Sequence, residues 1–200
     1  MKRVLVVGED ALNCALGERL VESAMPGWSL AALPINKRGV TKLVRDLPRY
    51  VAQARYVQPV VCIADTDGNC VKDLLADWSL TSPPETFHLR LAVKEAESWV
   101  LADRDCFARH FKVPLNKVPC QTDDIEDPKR LLLQLVSKSH VREYRDEMIS
   151  STDRSKTGRG YNLHLCTFVR DTWGARQASA GSLSLKRSLA RLDSFAKSYE

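Results

Sequence analysis

Pro59-Val60-Val61-Cys62-Ile63-Ala64-Asp65-Thr66-Asp67-Gly68 is the stretch whose reading decides the fold. Its apolar run, Val60 to Ala64, has the length and β-branched character of a strand buried on both faces. The run then breaks into two carboxylates two residues apart, followed at once by a glycine. A strand ending in Asp-x-Asp delivers two acidic groups to the carboxyl edge of a sheet, where open parallel α/β sheets bind ligands. Two carboxylates so close repel each other unless a cation or a proton intervenes, which points to a divalent metal. The competing reading is that Asp65 and Asp67 cap the next helix and form a turn with Gly68.

On the N-terminal side, Arg3-Val4-Leu5-Val6-Val7-Gly8 reads as a first buried strand, with Glu9-Asp10 as an acidic turn. Ala11 to Ser23 follows as a helix, with Leu12, Ala15, Leu16 and Leu20 on one face. Trp28 to Leu33, closed by Pro34, reads as a second strand. Val40, Leu43, Val44, Leu47 and Val51 recur at helical spacing, but Pro48 must kink that helix or begin a second one. Beyond the anchor strand come a helix around Val71 to Trp78 and a fourth strand, Phe87 to Val93, less enclosed than the others. This alternation predicts a mainly parallel four-stranded sheet with covering helices.

From Lys94 onward only helices are expected: Glu97 to Ala102, Arg104 to Phe111, one opening at Asp127-Pro128, Tyr161 to Thr172 and Ser184 to Lys197. Residues 1–103 are therefore assigned to an α/β core. Residues 104–200 are assigned to a helical extension packed on it and not to an independent domain.

At 200 residues, 44% hydrophobic and 28% charged, the chain has an ordinary globular composition and can bury a substantial core. No apolar run is long enough to span a membrane, and the N-terminus reads as a strand and not a signal peptide, so a cytoplasmic protein without a membrane partner is expected. The six cysteines show no Cys-x-x-Cys pair. Cys106 and His110 share a helix face but lack two further metal ligands, and buried free thiols are expected. From Ser151 onward nine basic and four acidic residues carry the whole net charge of +5. A basic C-terminal part beside an acidic site suits a phosphate-bearing partner, and equally a solvated helix face. The loop 150–160 could bind phosphate through Lys156 and Arg159. It has neither the glycine spacing nor the Gly-Lys-Ser/Thr ending of a P-loop, and no Gly-x-Gly-x-x-Gly supports a dinucleotide.

Three acidic clusters fall at strand ends: Glu9 with Asp10, Asp65 with Asp67, and Glu95 with Glu97. In a parallel sheet all three lie at one edge, where they could hold magnesium or manganese with water and phosphate oxygens completing the shell. As helix caps they would instead favour the N-terminal dipoles.

The acidic turn after strand one and the later Asp-x-Asp resemble the Toprim domain of topoisomerases, primases and nucleases related to the overcoming-lysogenization-defect proteins. Glu97-Ser98-Trp99-Val100-Leu101-Ala102-Asp103 is similar to the Glu-x-Trp-Leu-Leu-Ala-Asp signature of a small Toprim-like family, and Asp127-Pro128-Lys129 to its later Asp-Pro-Lys element. The resemblance implies a magnesium-dependent nuclease or phosphotransfer enzyme, in phage-defence or mobile-element contexts, acting on nucleic acid and sometimes beside an ATPase. By motif, Asp65 and Asp67 would ligate Mg2+ (or Mn2+), and Glu97, with or without Glu95, would complete the site as third ligand or base; Glu9 is the candidate catalytic acid/base, and Lys129, Lys156 and Arg159 are candidate phosphate contacts. One departure stands out: Toprim domains carry glutamate just before the glycine, where this chain has Val7. Either Glu9 reaches the site from a shifted register, or the chain is a catalytically silent module that binds nucleic acid or a partner protein. Trp99 is expected in the core.

Overall fold

The computed structural model describes residues 2–80 and 82–199. Five strands and ten α-helices occur among them: β1 (Lys2–Gly8), α1 (Ala11–Ala24), β2 (Trp28–Leu30), β3 (Ile35–Asn36), α2 (Val40–Tyr56), β4 (Val60–Asp65), α3 (Val71–Asp77), β5 (Phe87–Ala92), α4 (Glu97–Ala102), α5 (Arg104–Phe111), α6 (Pro128–Val136), α7 (Arg142–Met148), α8 (Tyr161–Asp171), α9 (Ala175–Ala178) and α10 (Leu183–Ser198). All strand pairings are parallel, in the order β2-β1-β4-β5, with β3 also on β1. The chain is thus an α/β protein with helices covering both faces of a parallel sheet.

The two-residue period of the strands divides the core into two layers. Val4, Val6, Val61 and Ile63 face one cluster, which is built with α1 and the helices of the C-terminal half. Leu5, Val7, Val60, Cys62 and Ala64 face the other, against Leu43, Leu47, Tyr50 and Ala54 of α2. The first cluster runs without a break from Val4 to Phe195, so the helical extension shares its core with the sheet. In it, α8 and α10 pack on α1, and α10 also packs on β5.

The sheet has five strands and not the expected four. β2 stops at Leu30, and β3 then rejoins β1 further along, pairing Val7 with Ile35 and Gly8 with Asn36. Residues between them bulge outward, leaving Leu33 89% exposed. Pro48 lies inside a single 17-residue helix, α2. One missing backbone hydrogen bond is outweighed there by the burial of Leu43, Leu47, Tyr50 and Ala54. β5 lies at the end of the strand order, with Leu89, Arg90 and Leu91 only partly buried, as its alternation of apolar and polar residues led us to expect. α7 and α9 were not foreseen, because α7 (Arg-Glu-Tyr-Arg-Asp-Glu-Met) buries only Met148 and has no apolar stripe to read. No helix among the described residues is long and apolar enough to cross a membrane.

Gly8 ends β1 where α1 crosses it. A Cβ there would lie 2.5 Å from the Cys14 backbone nitrogen and 2.7 Å from its Sγ. Backbone cannot step aside as a flexible side chain can, so Gly8→Ala should cost about 1–3 kcal/mol in urea unfolding. A variant as stable as the wild type would mean that α1 is free to shift away from β1.

Candidate active site

The parallel register brings the three acidic strand ends to one edge. Gly8 pairs with Ile63, and the Glu9 amide extends that ladder by donating to the Ile63 carbonyl at 3.0 Å. Asp65 pairs with Ala92, so β4 and β5 finish level. Their following turns are clasped together. The Thr66 amide donates to the Ala92 carbonyl (3.0 Å), the Asp67 amide to the Lys94 carbonyl (2.8 Å), and the Lys94 amide to the buried Thr66 Oγ1 (2.7 Å). Asp67 and Lys94 both take left-handed backbone conformations, φ 48° and 62°. Aspartate tolerates that region; for lysine it is a strained position.

Asp65 is the partly buried centre of the cluster. Its carboxylate faces Asn13 Nδ2 at 3.4 Å and the Ala96 amide, and it forms no ion pair among the described residues. Burial pushes its carboxyl up to about 8, with Glu97, Glu9 and Asp10 adding repulsion. Glu9 does reach the site: its Oε2 accepts from the Asp65 amide at 3.3 Å. Burial raises its carboxyl too, helped by Asp67 and Asp10 and opposed by the Asp65 amide and Lys129.

Glu97, in the first turn of α4, is only 3% exposed. Its Oε1 accepts from the Tyr161 hydroxyl at 2.8 Å and lies 3.6 Å from Lys129 Nζ. Burial raises its carboxyl, with Lys129 and Tyr161 pulling the other way. Glu95 accepts from Lys129 twice, from the backbone amide at 2.9 Å and from Nζ at 3.1 Å. Burial works against the Lys129 charge, but Glu97 and Glu95 outweigh it and hold the ammonium firmly protonated.

Asp10 turns out to be a cap. It accepts from the Asn13 amide at 2.9 Å and opens α1, and Asn13 Nδ2 then bridges it to Asp65. Asp65 and Asp67 do not cap α3, whose N-cap is Cys70 without a side-chain bond. The turn at Asp67-Gly68 is real, with Gly68 at φ 77°. Asp67 is exposed and lines an open cleft of about 770 Å³ with Gly68, Lys94, Glu95, Glu126, Asp127 and Arg130.

Of the expected phosphate contacts, Lys129 is already engaged by two glutamates. Lys156 is highly exposed, 3.6 Å from Asp153, and Arg159 lines a separate groove beside Glu147 and Gly158. Neither is among the residues lining the cleft. Among the described residues, the one group of three carboxylate or histidine side chains with all ligand atoms within 4.8 Å is Glu143, Glu147 and His164. Asp65, Asp67 and Glu97 are therefore more widely spaced than a closed three-ligand cage. Cys106 and His110 both bond to Thr172, and all six cysteines are free.

Tyr161 and Asn13 escaped the sequence reading. Tyr161 follows Gly158-Arg159-Gly160, and both glycines are sites of close approach: a Cβ on Gly158 would meet the Glu147 carbonyl at 2.2 Å. That pair of glycines before an aromatic residue was the available signal. Trp99 is fully buried, as expected. Its Nε1 donates to Ser184 Oγ at 2.8 Å, and its carbonyl accepts from Trp173 Nε1 at 3.0 Å. Asp103 accepts from the Gly174 amide at 2.8 Å.

The Asp65 carboxyl titrates near 8 when folded and from 3.8 as an ordinary aspartate. Between those values the folded chain holds a proton that the unfolded chain has lost. Without divalent cations, stability should therefore fall as pH rises from about 4 to about 8, by at most about 1.4 kcal/mol per pH unit for this group. Glu9 and Glu97, also raised, act in the same direction. Asp65→Asn should flatten the profile and raise the melting temperature at pH 8 in EDTA; an unaltered profile would show that Asp65 is not the titrating group. A comparison of the chain with protein-family models, curated proteins and solved structures finds no match in any of the three, so the reading of this site rests on its own residues.

Proposed function

We propose that the chain is a Toprim-like, magnesium- or manganese-dependent phosphodiesterase, a nuclease or a related phosphotransfer enzyme. The observation that carries this reading is the Asp65 carboxylate, crowded by Glu9 and Glu97 at the carboxyl edge of a parallel sheet with no ion pair to it among the described residues. A group held that far from its ordinary ionisation is a functional-site candidate.

The donor set fits a hard divalent cation, because Asp65, Asp67 and Glu97 offer only oxygen. Magnesium needs only one or two carboxylates, with water and phosphate oxygens in its remaining positions, so the three need not close a cage around it. Such a cation would polarise a phosphoryl oxygen and lower the pKa of an attacking water. The chain's own residues supply the rest. Glu9, its carboxyl raised above its ordinary value by burial, is the group that would take or return a proton. Lys129 fixes Glu95 and Glu97 in place and sets a positive charge beside the cleft. Arg130 lines that cleft, forms no ion pair among the described residues, and is placed to meet an anionic substrate.

A second reading has its own support. Lys129 and Tyr161 already satisfy Glu97, as they would in a catalytically silent module that binds nucleic acid or a partner such as an ATPase. Cleavage of plasmid DNA and of single-stranded RNA in Mg2+ and Mn2+ separates the two. The enzyme reading expects metal-dependent cleavage that Asp65→Asn and Glu9→Gln each lower by about 100-fold or more. Calorimetry that detects no binding of either metal, with no cleavage by the wild type, would leave the silent module.

A further inference from the structure

On the sheet face that carries Asp65, β5 presents His88 and Arg90 toward α10. His88 is 1% exposed and packs edge-on against Phe195, with ring centroids 4.3 Å apart. Its Nε2 has no hydrogen-bond partner, and neither has the buried Nε of Arg90. Arg191 of α10 stands close enough to repel both, and Arg90 forms no ion pair among the described residues. Three basic side chains thus lie near one another, and none of them forms an ion pair among the described residues. Burial and the two arginines push the His88 imidazole down to about 4; burial and Arg191 push the Arg90 guanidinium down to about 10.

Burying hydrogen-bonding groups without partners costs free energy, more so when the group is charged. A cluster of cationic and polar nitrogens with unfilled valences is what an anion from outside the chain would complete. The place matters as well. His88 pairs with Val61, Arg90 with Ile63 and Ala92 with Asp65, so His88 lies four residues, and Arg90 two residues, back along the strand from the acidic edge. For Arg90 that is about 7 Å, roughly one nucleotide step. β5 is an end strand of the sheet, Arg90 is only partly buried and Arg191 is exposed, so a phosphate can reach the outer end of the Arg90 guanidinium and Arg191 from the sheet edge, with the enclosed His88 behind them.

We propose that His88, Arg90 and Arg191 form a phosphate-binding site, and that its phosphate belongs to the backbone of a nucleic-acid strand lying along β5 toward Asp65 and Glu97. This identifies the substrate class of the phosphodiesterase proposed above and rests on that reading for the strand's direction.

Binding of a labelled single-stranded oligonucleotide in EDTA tests the site apart from catalysis. Arg90→Met keeps the apolar stem and removes the unpaired charge, so its melting temperature should equal or exceed that of the wild type. Its affinity should fall about tenfold, and the salt dependence of log K should lose about 0.7 per phosphate contact. Arg191→Gln should act alike, and Arg90→Lys should restore part of the loss. Inorganic phosphate should shift the His88 imidazole resonance in the wild type and not in Arg90→Met. Unchanged oligonucleotide affinity in folded Arg90→Met overturns the proposal. A phosphate-induced His88 shift without Arg90-dependent oligonucleotide binding overturns the nucleic-acid assignment and leaves a small phosphate ester or free phosphate. Arg90-dependent binding in a wild type that cleaves nothing with Mg2+ or Mn2+ sinks the enzyme reading and supports this site.

Discussion

The burial of Glu97 is the constraint on which the rest of the structure turns. A carboxylate taken out of water must be compensated, and here the compensation comes from far along the chain: Lys129 of α6 and the Tyr161 hydroxyl of α8. The neighbours of Glu97 in the sequence do the same work by other means. Trp99 bonds to Ser184 and Trp173, and Asp103 to Gly174. The Glu97-to-Asp103 segment is therefore the seam along which the helical half joins the sheet. A pair of this kind adds little net stability, but removing one partner leaves a buried charge unpaired, so the seam is fixed more by the penalty for breaking it than by the strength of its bonds.

That dual use explains why the site was only half legible. Strand ends can be read from apolar runs, so the positions of Glu9, Asp65 and Glu97 at one edge followed from the sequence once the strands were taken as parallel. The roles of individual acids did not follow. Asp10 and Glu9 are adjacent and alike in type, yet one caps α1 and the other turns inward to the Asp65 amide. Tyr161 lies 64 positions from Glu97, and no local periodicity connects them. Lys129 could be named as a phosphate contact from its motif, but not as a group already held by two glutamates. On the fold side, β3 is two residues long and α7 is charged nearly throughout, so neither leaves a pattern to detect.

The electrostatic character changes sign along β5. Its carboxyl end leads into an acidic cluster in which burial and then crowding push the Asp65 carboxyl up to about 8, and its middle carries guanidinium and imidazole groups weakened by burial and by mutual repulsion. Each cluster alone is unfavourable in the folded chain. A ligand that brought a cation to the acidic end and an anion to the basic middle would relieve both.

The clasp between the turns after β4 and β5 has a mechanical consequence. Because Thr66 and Asp67 are tied to Ala92 and Lys94 by three hydrogen bonds, the two loops form one lip and cannot fold back separately. Asp67 faces the open cleft from one side of that lip, and Glu95, which grips Lys129, hangs from the other. A load placed on Asp67 is thus carried through Lys94 to Glu95 and on to α6. The sheet edge and the first turn of α6 are two ends of a single lever, with its fulcrum at the buried hydroxyl of Thr66.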